Sequence, residues 1–464
     1  MILKNAKIYC DGLIQKGALL INNGIIRSIK FSNTENILED LRKKNEDNKE
    51  IDCQNKLVLP GIIDIHSHLR DMDQSEKETF LTGTKAAAVS GITTVFNMPN
   101  TMPPAISAEQ VKKWFKKAEN NIFVDVGFIC GIPRNLNEDE VKNIIDLGVI
   151  GFKIYPLNPL SEIDWTSDSN FQKLLSLSSK YQIPVFIHPD WPLPELKKKK
   201  AFDKGLIKKL NNLEIHNKLY PVQNEVKFVK FAIKHYKRIV REKNLIFEKL
   251  PIIHFCHISC KESYLLIKKI ENLRKKKFKI SFETTPHHLL LSNNIKLSNA
   301  NFGKVLPPLR DEKHSKFLFK ELTNGNLKLI ATDHAPHTLE EKSKSFIEAP
   351  SGFPGFETHP LLLLNKVITY ELSLENFVKA ASENPAKQFD LKKKGFIKEN
   401  YDADLIIIDK ISEYGINPQN FKTKAKYTPF ESFKTQVQVW KAFLRGIEIN
   451  SEDSKPIGQL IKRL

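Results

Sequence analysis

The sequence predicts an α/β protein built around a (β/α)8 barrel, with a small β-sandwich beside it. In the central part of the chain, apolar β-branched runs alternate with helical patterns, which is typical of parallel strands covered by helices. Eight such runs lie within about 340 residues, enough for a barrel with insertions. The first strand is not followed by a glycine-rich dinucleotide loop, so an open doubly wound sheet is the less favoured alternative.

Each predicted barrel strand is short, apolar and rich in β-branched or aromatic residues. In chain order the eight runs are LVLPGIIDIH (57–66), GITTVFNMP (91–99), NIFVDVGFIC (121–130), VIGFKIYP (149–156), IPVFIHP (183–189), PIIHFCHIS (251–259), FKISFETTP (278–286) and LKLIATDH (327–334). Helical patterns such as KETFLTGTKAAAVS and NEDEVKNIIDLG lie between most of them.

The two ends of the chain differ from its middle, because both contain short strands separated by turn residues. Neither end alone is long enough to make a convincing domain, so we expect them to form one β-sandwich together. The predicted domains are therefore 1–55 and 395–464 for the two parts of the sandwich, and 56–394 for the barrel. Segment 33–50 is polar, and we expect it to be a loose excursion.

The composition excludes several classes of protein. Net charge is +18, but lysine is spread along amphipathic helices such as residues 227–244, and the KKKK run at 197–200 has no aromatic neighbours. This pattern favours solvated surface over a nucleic-acid site. The five cysteines form no CxxC pair, which argues against disulfides and cysteine zinc knuckles. No apolar run has the length of a membrane helix and no signal peptide is evident, so we expect a soluble, cytoplasmic protein.

Potential metal ligands stand at the ends of five predicted strands. Barrel enzymes place their reactive groups at the carboxyl ends of the strands, so these side chains should meet at one rim. Residues i and i+2 of a strand share a face, which lets the first two histidines bind one ion. Imidazole and carboxylate groups are ligands that suit zinc in a hydrolytic site. The candidate ligands are His66, His68, Lys153, His188, His257 and Asp333.

Several of these residues and their neighbours have a second interpretation. Lys153 could form an ion pair at the barrel mouth, or its neutral amine could react with carbon dioxide to give a carbamate that bridges two ions. Arg70 could form a structural salt bridge or could bind a substrate carboxylate bidentately. His254 should face away from His257, in a packing or supporting role. We expect three further histidines to lie at the surface: His216, His235 and His314. Cys256 and Cys260 should be buried thiols that point away from His257.

The motifs at these strand ends resemble a known family. They are HSHLR, NMPNT, GFKIYP, HFCHIS, TPHHLLL, PPLR and ATDHAPH, and the similarity extends to the C-terminal YDADLIIID, TKAKYTPFESF and RGIEI segments. Together they are similar to the cyclic-amidohydrolase branch of the amidohydrolase superfamily, and within that branch to the dihydroorotases. The resemblance covers nearly the whole chain.

This resemblance implies a zinc-dependent hydrolase with two ions per subunit. His66, His68 and Asp333 would hold the first ion, His188 and His257 would hold the second, and carbamylated Lys153 would lie between them. Asp333 would also carry the proton during catalysis. The residues that match substrate-binding positions of the family are Arg70, Asn100, His337, Ser351 and Gly352.

The implied substrate is a small molecule, dihydroorotate or N-carbamoyl-L-aspartate in pyrimidine synthesis, with no nucleic-acid or membrane partner. Leu306 stands where dihydroorotases often carry a polar substrate contact, and Pro189-Asp190 differs from the usual sequel to His188. Two alternatives therefore stay open: an allantoinase or a dihydropyrimidinase (hydantoinase), and a non-catalytic relative that serves assembly. A homo-oligomer or an association with aspartate carbamoyltransferase is equally open.

Overall fold

The computed structural model describes residues 1–32, 34–45, 49–192, 210–271 and 278–463. Its strands are β1 (Ile2–Cys10), β2 (Leu13–Asn22), β3 (Ile25–Lys30), β4 (Glu50–Asp52), β5 (Leu57–Pro60), β6 (Ile62–Ser67), β7 (Ile92–Asn97), β8 (Asp125–Gly131), β9 (Gly151–Ile154), β10 (Pro184–Ile187), β11 (Ile252–Phe255), β12 (Ile280–Phe282), β13 (Leu405–Gly415), β14 (Lys434–Leu444), β15 (Ile447–Glu448) and β16 (Leu460–Ile461).

Helices lie between most of the barrel strands. They are α1 (Glu35–Lys43), α2 (Phe80–Val89), α3 (Ala108–Ala118), α4 (Glu138–Asp146), α5 (Asp168–Tyr181), α6 (Asn212–Leu219), α7 (Val222–Glu242), α8 (Lys261–Glu271), α9 (Pro286–Leu290), α10 (Glu312–Thr323), α11 (Leu339–Ser343), α12 (His359–Ile368), α13 (Leu374–Val378) and α14 (Asn384–Gln388). A π-helical turn, Lys379–Glu383, joins the last two. Among the described residues, no helix combines the length and the apolar character needed to cross a membrane.

Strands β6 to β12 form one parallel sheet in chain order. Residues 329–334 occupy the eighth position through isolated bridges instead of a regular strand. Ala331 N–H donates to Thr284 O at 3.1 Å on one side, and on the other Asp333 N–H donates to His66 O at 2.9 Å. The segment therefore joins β12 to β6 and closes the ring, which confirms the predicted barrel.

The barrel is filled by side chains from strands on opposite sides of the ring. Ile65 of β6, Ile129 of β8 and Phe186 of β10 belong to one buried apolar cluster, and these residues can meet only through the interior. Phe389, just after α14, stacks on Phe186 with ring centroids 5.3 Å apart. The barrel is thus a packed core, and chemistry is confined to its rims.

The second sheet contains strands from both ends of the chain, in the order β15-β14-β13-β5-β1-β2-β3, with β4 beside β1. Residues from both ends, including Leu19, Val58 and Ile407, share one buried cluster. The predicted β-sandwich is therefore a single mixed sheet, whose β1–β2 region is also covered by α1 through Leu38 and Leu41.

The predicted strand 57–66 divides at Gly61 into β5 and β6, where the chain passes from the mixed sheet into the barrel; a Cβ at Gly61 would lie 2.2 Å from Thr93 Oγ1. The expected loose excursion at 33–50 was wrong for residues 35–43, which form α1. The KKKK run at 197–200 lies outside the described residues. The domain limits at 55/56 and 394/395 stay a prediction.

The surface placement expected for three histidines was wrong. His216 donates from Nε2 to Val305 O at 2.8 Å, His235 lies 3.1 Å from an Asp168 carboxylate oxygen, and His314 Nδ1 accepts from Lys261 N–H. All three are buried. Each has a hydrogen-bonding or ionic partner from a distant part of the chain, which makes burial of the imidazole tolerable.

An ionic network joins the barrel to the mixed sheet. Lys394 Nζ lies 2.7 Å from Asp125 Oδ2, at the start of β8, and 2.6 Å from Asp404 Oδ2, just before β13. Arg445 Nη1, just after β14, lies 2.7 Å from Asp125 Oδ2. Burial alone would lower the pKa of Lys394, but the carboxylates of Asp404 and Asp125 outweigh it and raise the pKa. This lysine is therefore a charged link between the two parts of the fold.

Candidate metal centre and substrate pocket

Three of the predicted ligands meet at the carboxyl ends of the barrel strands. His66 Nε2 and His68 Nε2 lie 3.4 and 3.1 Å from Asp333 Oδ1. Ligand atoms of the three residues all lie within 4.8 Å of one another, and all three side chains are buried. The alternation of β6 and the closing bridge at residue 333 together produce this arrangement.

The second pair of histidines continues the same row of rings. The His66 and His257 ring centroids are 5.1 Å apart, and those of His257 and His188 are 4.5 Å apart. Across the described residues, His188 Nε2 and His257 Nδ1 are buried without a hydrogen-bond partner. Buried polar atoms are nearly always paired, so these two nitrogens, in the same row as His66, are available to bind a further group.

Burial controls the protonation state of these imidazoles. It lowers the pKa of His188 to about 3 and holds the pKa values of His66 and His257 well below their usual range, with Lys153 adding to the effect. The rings are therefore neutral at physiological pH, and neutral imidazole is the form that binds metal.

Lys153, on β9, lies beside this row and is almost fully buried, at 1% exposure. Its Nζ is 2.8 Å from Cys256 Sγ and 5.2 Å from the centre of the Tyr155 ring. Among the residues that the structure describes, no carboxylate lies within 4.0 Å of Nζ. The alternative of an ion pair at the barrel mouth is therefore not observed, and a buried amine without a carboxylate in direct contact needs another explanation.

Cys256 does not point away from the centre as expected, because its sulfur faces Lys153. With His66 and Glu283 it forms a second group of atoms close enough to hold an ion. Burial raises the pKa of the Cys256 thiol, with Glu283 adding to the effect, so without a bound cation the sulfur stays protonated. Cys260, in contrast, is buried against Glu225, as expected of a structural thiol.

Glu283, which the sequence analysis missed, supports the centre from the end of β12. Its Oε1 accepts from His66 Nδ1–H at 2.8 Å and from His257 N–H at 2.9 Å, and its Oε2 bonds with His254 Nε2. Burial raises its pKa to about 8. The supporting role expected of His254 is thus observed. The available signal was position, since Glu283 lies near the carboxyl end of the seventh predicted strand, 278–286.

Hydrogen bonds to the outer nitrogens fix how the first two histidines are presented. His66 donates from Nδ1 to Glu283, and His68 donates from Nδ1 to Asn100 Oδ1 at 2.5 Å. Both rings consequently turn Nε2 towards Asp333, as metal-binding histidines do when their other nitrogen is engaged. The donor set of imidazoles and carboxylate, with its unpartnered nitrogens, fits zinc.

Arg70 lies next to this row, with a left-handed backbone φ of 54° and 5% exposure. Its Nε donates to Pro336 O at 3.2 Å and its Nη2 to His337 Nε2 at 3.3 Å. No carboxylate lies within 4.0 Å of its guanidinium in the described part of the chain, so the salt-bridge alternative is not observed. Burial lowers the pKa of Arg70. A buried guanidinium without a carboxylate in direct contact is a ready site for an anion.

His337, the next predicted substrate contact, is held from two sides. Its Nδ1 lies 3.2 Å from Glu341 Oε2, and its Nε2 is 3.1 Å from Ser351 O as well as within reach of Arg70. Burial lowers the pKa of His337 to about 3, so the ring carries one proton. The carboxylate of Glu341 requires a donor, which places that proton on Nδ1, so Nε2 accepts from Arg70 and cannot donate to Ser351 O.

Ser351 and Gly352 lie in the same region, and both use backbone atoms within the protein. Gly352 N–H donates to Lys304 O at 2.8 Å, and Ser351 O faces His337. Leu306, the residue that replaces a usual polar contact, is half-buried. The assignment of these residues to substrate binding stays a prediction.

A closed α/β barrel with a row of neutral histidines, an aspartate and a buried lysine at its carboxyl rim defines a class, the barrel hydrolases that act with bound metal. Comparison with known proteins agrees with this class: the model of the amidohydrolase family matches residues 57–447. The chain belongs to the amidohydrolase family.

Three curated proteins that are similar to this chain are named dihydroorotase. The chain is 33% identical to the dihydroorotase of Methanosphaera stadtmanae over 93% of this chain and 92% of that one. It is 34% identical to the dihydroorotase of Pyrococcus abyssi, covering 98% and 95%. It is 31% identical to that of Bacillus cereus strain B4264, covering 92% of each.

Solved structures are similar to the whole chain in fold. The L-hydantoinase (dihydropyrimidinase) of Arthrobacter aurescens superimposes with a TM-score of 0.87 at 24% identity, covering 100% of this chain and 99% of the other. The D-hydantoinase of Thermus sp. gives a TM-score of 0.85 at 24% identity, covering 100% and 98%. At this level of identity the likeness concerns the fold alone.

Proposed function

We propose that this chain is a dihydroorotase, which interconverts (S)-dihydroorotate and N-carbamoyl-L-aspartate in pyrimidine synthesis. The observation that carries the proposal is the buried guanidinium of Arg70, without a carboxylate partner among the described residues, beside the cluster of ligands. Dihydroorotate has a carboxylate that this fork can bind bidentately, whereas allantoin and hydantoins have none. The curated relatives, named dihydroorotases, support the same choice.

The substrate would be oriented by Arg70 together with Asn100. Because Asn100 Oδ1 accepts from His68, its amide nitrogen remains as a donor for the substrate carboxylate. His337 would limit the movement of the Arg70 side chain through its contact with Nη2. Such fixed orientation of the ring over the reactive groups accounts for much of an enzyme's rate enhancement.

The metal centre that we propose uses all six candidate ligands. His66, His68 and Asp333 would hold one zinc ion, and His188 and His257 would hold the other. The Lys153 amine would add to carbon dioxide with loss of a proton, and the resulting carbamate would lie between the two ions.

The chemistry of this centre divides between metal and protein. Bound zinc would supply Lewis acidity and a water of lowered pKa. Asp333 would accept the proton of the attacking water and deliver it to the ring nitrogen as the amide bond breaks. Glu283 would hold His66 in place throughout. Ring closure consumes a proton, so the cyclic product is favoured at lower pH.

Assays on dihydroorotate, allantoin and hydantoin with the purified, zinc-loaded protein test the proposal. Turnover of dihydroorotate in both directions is the expected result. Hydrolysis of allantoin or hydantoin without dihydroorotate would instead assign the chain to one of the alternative cyclic-amide hydrolases.

Replacement of Arg70 by methionine should raise KM for dihydroorotate and lower kcat/KM by about 10- to 150-fold, the effect of about 1.5–3 kcal/mol from charged hydrogen bonds. Methionine keeps the apolar stem packed, which limits the loss of stability. Steady-state kinetics measure the effect, and Arg134→Met, at an exposed arginine with 68% side-chain exposure, is the matched control. Equal kinetics for the wild type and Arg70→Met would contradict the carboxylate-binding role.

Removal of metal should abolish activity, and stoichiometric zinc should restore it. The measurement combines elemental analysis with activity before and after treatment with a chelator. A protein that was purified without chelator and contained almost no zinc would favour a non-catalytic assembly role.

Other parts of the proposal concern organisation and context. We propose domains at 1–55, 56–394 and 395–464, a cytoplasmic location and a small-molecule substrate as the principal partner. We also propose association as a homo-oligomer or with aspartate carbamoyltransferase, which size measurements on the purified protein and its mixtures would test.

A further inference from the structure

Segment 346–352 forms one wall of the proposed pocket and ends at Ser351 and Gly352. Gly352 has a φ of +130°, and a Cβ there would lie 2.6 Å from Ala335 O. The segment therefore packs directly against the stretch that carries Asp333 and His337.

Five carbonyl oxygens of this segment converge on two buried ammonium groups. Lys304 Nζ donates to Phe346 O at 2.5 Å, to Ile347 O at 3.3 Å and also to Ala349 O. Lys342 Nζ donates to Pro350 O at 2.9 Å and to Gly352 O at 2.8 Å. Both lysines are buried, with exposures of 7% and 0%.

Neither ammonium has a carboxylate within 4.0 Å among the described residues, so the carbonyls replace both water and counter-ion. Burial lowers the pKa of Lys304 to about 8 and of Lys342 to about 7, and the carbonyl oxygens favour the charged form against this effect. Lys304 meets three acceptors, and only an ammonium offers three N–H donors. Burial of two ammonium groups costs free energy, so packing alone does not account for lysine at these two positions.

The two lysines are tied to the pocket by further bonds. Lys304 holds the segment a second time through its own carbonyl, which accepts from Gly352 N–H at 2.8 Å. Lys342 follows Glu341, whose carboxylate lies 3.2 Å from His337 Nδ1. The bonds from Lys304 and Lys342 to segment 346–352, here called the lysine clamp, thus adjoin the contact between Arg70 and His337.

We infer that Lys304 and Lys342 are positioning residues, which hold segment 346–352 by its carbonyl oxygens and so fix Ser351 and Gly352 against Ala335 and His337 beside the substrate pocket. The inference rests on the proposed function of the same site. Neither lysine touches the reacting atoms; both act through the backbone that they bind.

Amide hydrogen exchange and steady-state kinetics of Lys304→Met and Lys342→Met test this inference. Both variants should lose protection in peptides that cover residues 344–353, while the rest of the barrel exchanges as in the wild type. KM for dihydroorotate should rise about tenfold, equivalent to about 1.4 kcal/mol, with kcat within about threefold. Lys344→Met, at an exposed lysine two residues before the segment, is the control and should change neither quantity.

Unchanged protection at 344–353 would overturn the inference, as would loss of protection throughout the barrel, because that result would show a general structural role. Lys304→Gln and Lys342→Gln keep amide donors without the charge and serve as milder variants with the same two criteria. The exchange experiment does not need turnover. If the wild type fails to act on dihydroorotate, the proposed function is wrong. The exchange data would still decide whether the lysine clamp holds segment 346–352.

Discussion

Replacement of Lys153 by alanine should lower kcat/KM for dihydroorotate by about 10³-fold or more and lower the zinc content of the purified protein. The physical reason is that alanine cannot supply the carbamate proposed to lie between the two ions. Without the carbamate the metal ions would be displaced, and their stabilisation of the transition state would fall by about 4 kcal/mol. A loss of this size corresponds to a fall in kcat/KM of about 10³-fold. Kinetics together with elemental analysis measure both effects, and added acetate or propionate should restore part of the activity by providing a carboxylate.

Lys153→Arg is the control that separates the carbamate from a simple positive charge. Arginine keeps the charge but cannot form the carbamate at neutral pH, so this variant should be as inactive as alanine. Full activity and full zinc content in Lys153→Arg would show that only charge matters at this position. A mass difference corresponding to carbon dioxide on the peptide containing Lys153, detected under native conditions, would be direct support.

Replacement of Lys394 by methionine should lower the free energy of unfolding by about 3–5 kcal/mol, the usual effect of removing one partner from a buried ion pair. Asp125 and Asp404 are 2–4% exposed and would be left facing each other without their shared cation. Denaturant unfolding followed by circular dichroism measures the change. KM for dihydroorotate should stay the same, because the network lies away from the carboxyl rim.

Lys392→Met is the matched control for this prediction. Lys392 lies 2.5 Å from Asp390, but the two side chains are 80% and 72% exposed, so the pair contributes little. The control should change the unfolding free energy by less than about 0.5 kcal/mol. Similar effects of the two variants would mean that Arg445 alone compensates Asp125.

The barrel could be predicted because its signal is local and repeated. Each parallel strand is apolar on both faces, and His66, His188 and His257 each stand at the carboxyl end of a predicted strand. The carboxyl ends of the strands of a barrel lie at one rim, so the convergence of these histidines follows from the topology. The eighth strand shows the limit of this reasoning: residues 329–334 close the ring through isolated bridges, and only the complete ring reveals that role.

Residues whose function depends on a partner far along the chain could not be predicted. Glu283 is one acidic residue among 54 Asp and Glu, and its importance lies in bonds to His66 and His254. The same reason explains the error at His235, which lies in a polar helical stretch. Its burial depends on Asp168 and Gln172 of α5, a helix that no local pattern places beside it.

The sequence alone also could not distinguish the two interpretations of Lys153 and of Arg70. Both depended on whether a carboxylate lay nearby, which is a property of the assembled rim. Helix α1 was missed for a different reason, since a short amphipathic pattern within a polar stretch gives a weak signal. Its buried residues are Leu38 and Leu41, which acquire an apolar environment only when the mixed sheet exists.

The division of the mixed sheet between both ends of the chain has a consequence for synthesis on the ribosome. Val58 of β5 pairs with Ile407 of β13, so one edge of the N-terminal half-sheet stays open until the entire barrel has been translated. Such an open edge invites pairing with other nascent chains. The backbone groups at that edge therefore stay unpaired by β13 for most of the time that translation takes.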